Sequence, residues 1–301
     1  MEVIMKKWAL YGVFFFFAMS SFSVMAQEEE YTNERMDMFY EDIHAPKKRP
    51  IPLVSVRKAD VVWETVIWRT INLKERFNQF FYYPLDVVED AQGRTNLVNA
   101  IWSGIKEGRI TVYADDEFKV VKDFASLEST FNKSDTIERD RYDDDDNYIG
   151  IETVVTTQNF EDITKNFYKI NLKERWFIDK ARTVQDVRII GLSFVMDVYD
   201  EDALTGEKIY KGFHSLGWIR MEDPAVRELL AQTQAYNEYN DAAWLNYDQI
   251  FLTRYFESTI TRESNRQNRA IERYATGLDA LMEAERIKEE IFNKELDLWE
   301  Y

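Results

Sequence analysis

Apolar positions recur along this chain at three spacings, and each predicts a different element. From Asp60 to Arg69, Val62, Val66 and Arg69 share one helical row with Trp63 and Ile67 beside it. With Asp60 as N-cap the stretch reads as an amphipathic helix, although β-branched residues are frequent in it. Asn96 to Lys106 is a second helix of this kind, with Leu97, Ile101 and Ile105 aligned and Gly108 as a stop signal. Arg109 to Tyr113 then alternates as a strand does. Asp186 to Tyr199 is the strongest strand signal, nearly continuous in β-formers from Val187 to Val198. A turn at Leu204-Thr205-Gly206-Glu207 and a second apolar run from Ile209 to Arg220 complete a β-hairpin with a buried face. Pro224, following Glu222-Asp223, opens a long helical remainder in which Gly277 separates two runs. The last run carries Leu278, Leu281, Met282, Ile287, Ile291 and Leu298 among many charges, the pattern of an amphipathic helix whose outer face needs no partner. The expected fold is α+β: a small antiparallel sheet with flanking helices and a long helical C-terminal region. The expected segments are 1–26, an extended arm over 27–57, a core domain over 58–222 and a helical region over 223–301 packed on that core.

The remaining spacing is continuous. Lys6 and Lys7 precede an apolar stretch from Trp8 to Val24, and Val24-Met25-Ala26 stands before Gln27. Basic, then apolar, then small at the cut is the order of a secretory signal peptide, with Met5 as an alternative start. An uncleaved anchor is the competing reading, but roughly 17 apolar residues is the short limit for crossing a bilayer. An exported chain with no cysteine has no disulfides. With Gln27 where a lipid-bearing cysteine would stand, membrane association has to run through a partner protein. The net charge of −17 repels phosphate backbones and anionic lipid, which argues against nucleic acid and direct membrane contact. Aromatic residues make up 15% of the chain, a supply of large surfaces for core and interface alike.

Ala45-Pro46-Lys47-Lys48-Arg49-Pro50-Ile51-Pro52 is incompatible with a helix or a central strand and favours an extended path. Being cationic on an anionic protein, this arm either docks on its own body or on an acidic face of a partner, or it is a solvated linker. Lys133 to Gly150, with Asp140, Asp143, Asp144, Asp145 and Asp146, reads as a solvated surface loop. A calcium loop starting at Asp143 would need glycine where Tyr148 stands and a bidentate acid where Val154 stands. Catalytic groups are scarce. His44 and His214 share no metal-ligand spacing. No Gly-x-Ser-x-Gly elbow or phosphate-binding glycine loop occurs, and His214 beside Ser215 reads as a strand residue. No cofactor or metal is expected.

Ile71-Asn72-Leu73-Lys74-Glu75-Arg76-Phe77 recurs as Ile170-Asn171-Leu172-Lys173-Glu174-Arg175-Trp176. The two copies read as one local structure used twice: a polar turn capped by the asparagine, the glutamate on the first helical turn, the aromatic packed inward. Either an internal duplication or a shared helix start accounts for them.

Ala59 to Trp63, Trp68 to Arg76, Tyr82-Tyr83-Pro84, Phe213 to Ile219, Trp244 to Phe251, Arg254 to Ser258 and Ile291 to Glu300, in that order, resemble the GldN/PorN family of gliding-motility and type IX secretion proteins of Bacteroidetes. The resemblance implies a non-enzymatic periplasmic component. It would form rings with an outer-membrane lipoprotein, GldK/PorK, and contact the periplasmic part of the inner-membrane motor protein, GldM/PorM. It brings no catalytic residues. The competing functions are an enzyme acting on cell-wall glycan and a small-ligand binding protein. Two segments are too extended or too apolar for a self-contained core: the arm with Pro46, Arg49, Pro50 and Pro52, and the end with Trp299 and Tyr301. These residues are the expected interface, with packing of Trp299 on its own domain as the alternative.

Overall fold

A computed structural model describes residues 49–85, 94–131, 133–142, 148–158, 164–201, 208–238, 240 and 245–298. Among them an antiparallel sheet has the strand order β3-β2-β8-β7-β6-β1-β9. The strands are β1 (Val61–Asn72), β2 (Val112–Tyr113), β3 (Val121–Lys122), β6 (Lys169–Asp179), β7 (Val184–Glu201), β8 (Lys208–Arg220) and β9 (Thr259–Glu263). A separate hairpin pairs β4 (Lys133–Tyr142) with β5 (Tyr148–Gln158). The helices are α1 (Leu97–Lys106), α2 (Phe124–Phe131), α3 (Pro224–Gln232), α4 (Tyr247–Thr253) and α5 (Leu278–Leu296). The sheet has seven strands and is larger than the sequence pattern suggested.

The helix expected over Asp60 to Arg69 is strand β1. Val61, Val62, Thr65, Val66, Ile67, Thr70 and Ile71 lose side-chain freedom in a helix and fit a pleated surface. The decisive term is pairing on both edges, with β6 along the whole strand and with β9 from Ile67 to Thr70. Its inward face is Ile67, Arg69 and Ile71, a period of two that a helical wheel hides. The second expected helix is α1, where the Asn96 side chain accepts from the Asn99 N–H at 2.8 Å. The strand expected after it is the short β2. The β7–β8 hairpin forms as expected, while its turn at 204–207 lies outside the described residues. At Gly217, φ is +118°, and a Cβ there would come within 2.5 Å of Val112, so glycine is what lets β2 lie against β8.

The region expected as a charged loop from 133 to 150 is largely strand, and Asp143 to Asp146 lie outside the described residues. The helical remainder after Pro224 is interrupted. Asp223 caps α3 by accepting from the Ala225 N–H, and α4 and α5 follow, but β9 stands between those two and joins the sheet beside β1. A row of alternating Thr259, Ile260, Thr261 and Arg262 carries strand propensity that the charge around it concealed.

The repeat is not one structure used twice. In the first copy Asn72 ends β1 and its side chain accepts from the Lys74 N–H at 3.1 Å, a turn as expected, but Phe77 is exposed. The second copy is strand throughout. The copies nonetheless meet, because β1 and β6 pair with Ile71 opposite Ile170 and Thr70 opposite Asn171.

Two apolar clusters lie on the inner face of the sheet. The larger gathers Ile71, Ile170, Leu172, Leu192, Phe194 and Ile219 from the strands against Leu97, Ile101, Leu230, Ile250 and Phe251 from α1, α3 and α4. The smaller gathers Ile67 and Ile260 against Ala284, Ile287 and Ile291 of α5.

Candidate functional site

Along β1 the residue between Ile67 and Ile71 is Arg69, and along β6 the residue after Leu172 on the same face is Glu174. Their side chains meet where the two apolar clusters adjoin. Glu174 is fully buried and receives three groups. Arg254 donates to both its oxygens at 2.8 and 3.2 Å, the Trp176 indole N–H donates at 3.0 Å, and the Arg69 guanidinium lies 3.2 Å away. Arg254 is placed by its left-handed backbone, φ +55°, at the C-terminal end of α4, and its guanidinium lies over the Trp176 ring. Burial pushes the Arg69 guanidinium below its ordinary value; Glu174 opposes the shift and Arg254 adds to it. Enclosed in this way by two guanidiniums and an indole, the buried carboxylate is charge-compensated and ties β1, β6 and the end of α4 together.

Arg254 also lines a cleft between β7, α3 and α4. Arg227 of α3 grips Asp248 of α4 through Nε and Nη2, at 3.0 to 3.2 Å, and both side chains are nearly enclosed. The same pair holds the chain's own arm. The Ile51 N–H donates to Asp248 at 3.1 Å, and the Ile51 carbonyl accepts from Arg227 at 2.6 Å. Further on, Arg188 of β7 donates to the Val54 carbonyl at 2.8 Å. Leu53, Ile189, Met221 and Phe251 line the cleft together. The space left is about 50 Å³, room for a few water molecules and no more. The polar groups of the cleft hold the main chain of the segment at Ile51 and Val54.

Of the expected interface residues, the structure places Arg49, Pro50 and Pro52 on this segment, with Arg49 and Pro52 exposed and Pro50 half-buried. For residues 51–54 the open alternatives resolve to docking on the chain's own body. Pro46, Trp299 and Tyr301 lie outside the described residues, as do His44 and the whole of 1–48. His214 is an exposed residue of β8 opposite Met196. Among the described residues, no three His, Cys, Asp or Glu are grouped to hold a metal ion, and no helix is long and apolar enough to cross a membrane.

The sequence reading missed Arg227, Asp248, Arg254 and Glu174. Glu174 had a legible signal, since Ile170, Leu172 and Glu174 share one strand face. The others come from separate elements and had none.

The family model for gliding-motility-associated protein GldN matches residues 56–300. That span contains every element of the sheet, both clusters and the residues that grip the arm. The chain belongs to the GldN family. Membership ties it to gliding motility and type IX secretion, in agreement with the order of segments along the sequence. No curated protein matches it. In this GldN family member the residues that hold Ile51 all lie inside the matched span, and the arm residues they hold, Ile51 to Val54, lie just before it.

Proposed function

We propose that this GldN family member is a non-enzymatic periplasmic structural component of the gliding and type IX secretion machinery. It would form a ring with an outer-membrane lipoprotein, GldK/PorK, and touch the periplasmic part of the motor protein GldM/PorM. Export by a cleaved signal peptide over 1–26 would deliver it, and the lipoprotein would hold it at the outer membrane without lipid of its own. The observation that carries the reading is the treatment of polar groups in the two charged constellations. Arg227 and Asp248 are spent on each other and on a peptide backbone, and Glu174 on two arginines and an indole. Such groups hold chain to chain, and in these two constellations they are committed to one another rather than free as acid, base or nucleophile.

The arm is pinned at Ile51 and Val54 and leaves Arg49 and Pro52 exposed; these two, with Pro46, Pro50, Trp299 and Tyr301, are the residues proposed to touch partners. Co-purification with the lipoprotein tests this. The intact chain carries the lipoprotein with it into a high-molecular-weight complex, and a chain lacking 27–52 stays folded and loses most of that complex. Recovery of the intact chain without the lipoprotein would refute the reading. So would hydrolysis of purified cell-wall glycan that disappears on replacement of a single acid.

A further inference from the structure

Helix α5 carries two seams. On its inner side Ala280, Ala284, Ile287 and Ile291 follow one another at intervals of four, three and four residues and pack on Ile67, Ile260, Ile271 and Trp176. Displaced by two residues, about 200° around the helix, and continued by two further positions runs a second series: Leu278, Met282, Glu285, Glu289, Phe292 and Leu296. Its intervals of four, three, four, three and four are those of a coiled-coil seam, sustained over about 27 Å of helix. The sequence reading took the outer face of this helix to need no partner. In the structure its apolar members stand in solvent: Leu278 is 71% exposed, Met282 64%, Phe292 57% and Leu296 47%, with Leu281 at 57% along the edge. Scattered exposed apolar residues are ordinary on a protein surface, whereas two exposed apolar groups on one helical register, Leu278 with Met282 and Phe292 with Leu296, point to an interaction site.

The two glutamates bear on what fits, Glu285 being paired on its own helix with Lys288 at 3.0 Å. They occupy the centre of the seam, with apolar positions at both ends. If a second copy of α5 lay along the stripe in register, parallel pairing would set each glutamate against itself. Antiparallel pairing would set Glu285 against Glu289, four like charges at the centre of an otherwise apolar seam. An anionic lipid surface is disfavoured by the same charges and by the net charge of −17. A helix of another protein with lysine or arginine at the two central seam positions meets the requirement. Each cation then faces a carboxylate, and apolar residues on either side cover Leu278, Met282, Phe292 and Leu296.

We infer that the outer face of α5 docks such a helix, apolar at its ends and basic at its centre, from a partner protein. This rests on the assembly reading only in requiring a protein partner. The test replaces Leu281, at the edge of the stripe, with the photoreactive amino acid p-benzoylphenylalanine in producing cells, and sequences the cross-linked peptide by mass spectrometry. The expected adduct is a segment of another protein with helical apolar spacing and basic residues at two consecutive seam positions. Glu289→Lys, an exposed change, lowers its yield about tenfold while circular dichroism and the melting temperature stay unchanged. In parallel, a synthetic helical peptide about three heptads long, leucine at its seam positions and lysine at the central two, binds the purified chain about tenfold more tightly than the same peptide with glutamate there. An adduct to a second copy, an adduct to lipid, no adduct at all, a yield indifferent to the charge reversal, or equal affinity for the two peptides overturns the inference. If the lipoprotein complex survives the charge-reversed variant while these readouts fail, the assembly reading stands and only this surface is wrong.

Discussion

Single buried charges hold this molecule at particular points. Glu174 is fully buried between Arg69 and Arg254, so Glu174→Gln removes the carboxylate that both guanidiniums face, one of them nearly buried. The expected cost is about 3–5 kcal/mol, measured as a lowered midpoint in urea with the slope of the transition unchanged. Asp197 on β7 is a milder case. Burial works to raise its carboxyl, but hydrogen bonds from Tyr168 at 2.6 Å and Lys169 at 2.9 Å outweigh it and hold it below its ordinary value. A carboxylate depressed in the folded state adds stability that is present above the unfolded value of about 3.9 and is lost as the pH falls through the folded value. Asp197→Asn should therefore cost about 1–2 kcal/mol at neutral pH. Its stability should also change less than that of the parent as the pH drops below about 4. A variant whose acid limb runs parallel to the parent's would contradict this.

Elements show which face of a pattern the fold uses. Helix α5 makes the point within two turns: Ile287 is 1% exposed on the inner seam, and Met282 is 64% exposed on the outer one. Ile287→Ala opens a cavity against Ile67 and Ile260 and should cost about 2–5 kcal/mol. Met282→Ala should stay within about 0.5 kcal/mol. Thermal unfolding of the two variants side by side reads the difference. Strand β1 gives the converse lesson. Read alone, Asp60 to Arg69 fits a helical wheel, and only the neighbouring strands β6 and β9 show that its working period is two. Beyond its end, buried Asn78 donates to the carbonyls of Asn72 and Glu257 and accepts from the Glu257 N–H at 2.9 Å. The turn after β1 is thereby stapled to the segment leading into β9. Removal of that amide in Asn78→Ala should cost about 2 kcal/mol or more, because a fully buried side chain and its three main-chain hydrogen bonds are lost together.

At the scale of the whole molecule the arm and the body form one hydrogen-bonded unit at Ile51 and Val54. Asp248→Ala removes the acceptor of the Ile51 N–H and strands Arg227. Hydrogen exchange should report loss of protection at Ile51, while the amides of β6 and β7, in the middle of the sheet, keep their rank among the most protected. Protection at Ile51 that survives the substitution would mean the cleft does not hold the arm.

What the sequence determined by itself is what depends on neighbours in the chain. Asn96 and Asp223 cap helices three and two residues away, Val187 to Val198 are strand formers in an unbroken run, and the order of segments from Ala59 onward already resembled the family later matched over 56–300. What only the tertiary structure decided is what depends on residues far apart in the chain. The Asp248 carboxylate lies 197 positions from the amide it accepts, and Arg254 lies 80 positions from Glu174. The two copies of the repeat meet across β1 and β6 although one is a turn and the other a strand. Local spacing fixes which faces an element has; whether β1 is buried with period two, or the second seam of α5 is left in water, follows from which neighbours cover those faces, and no window of sequence contains that information.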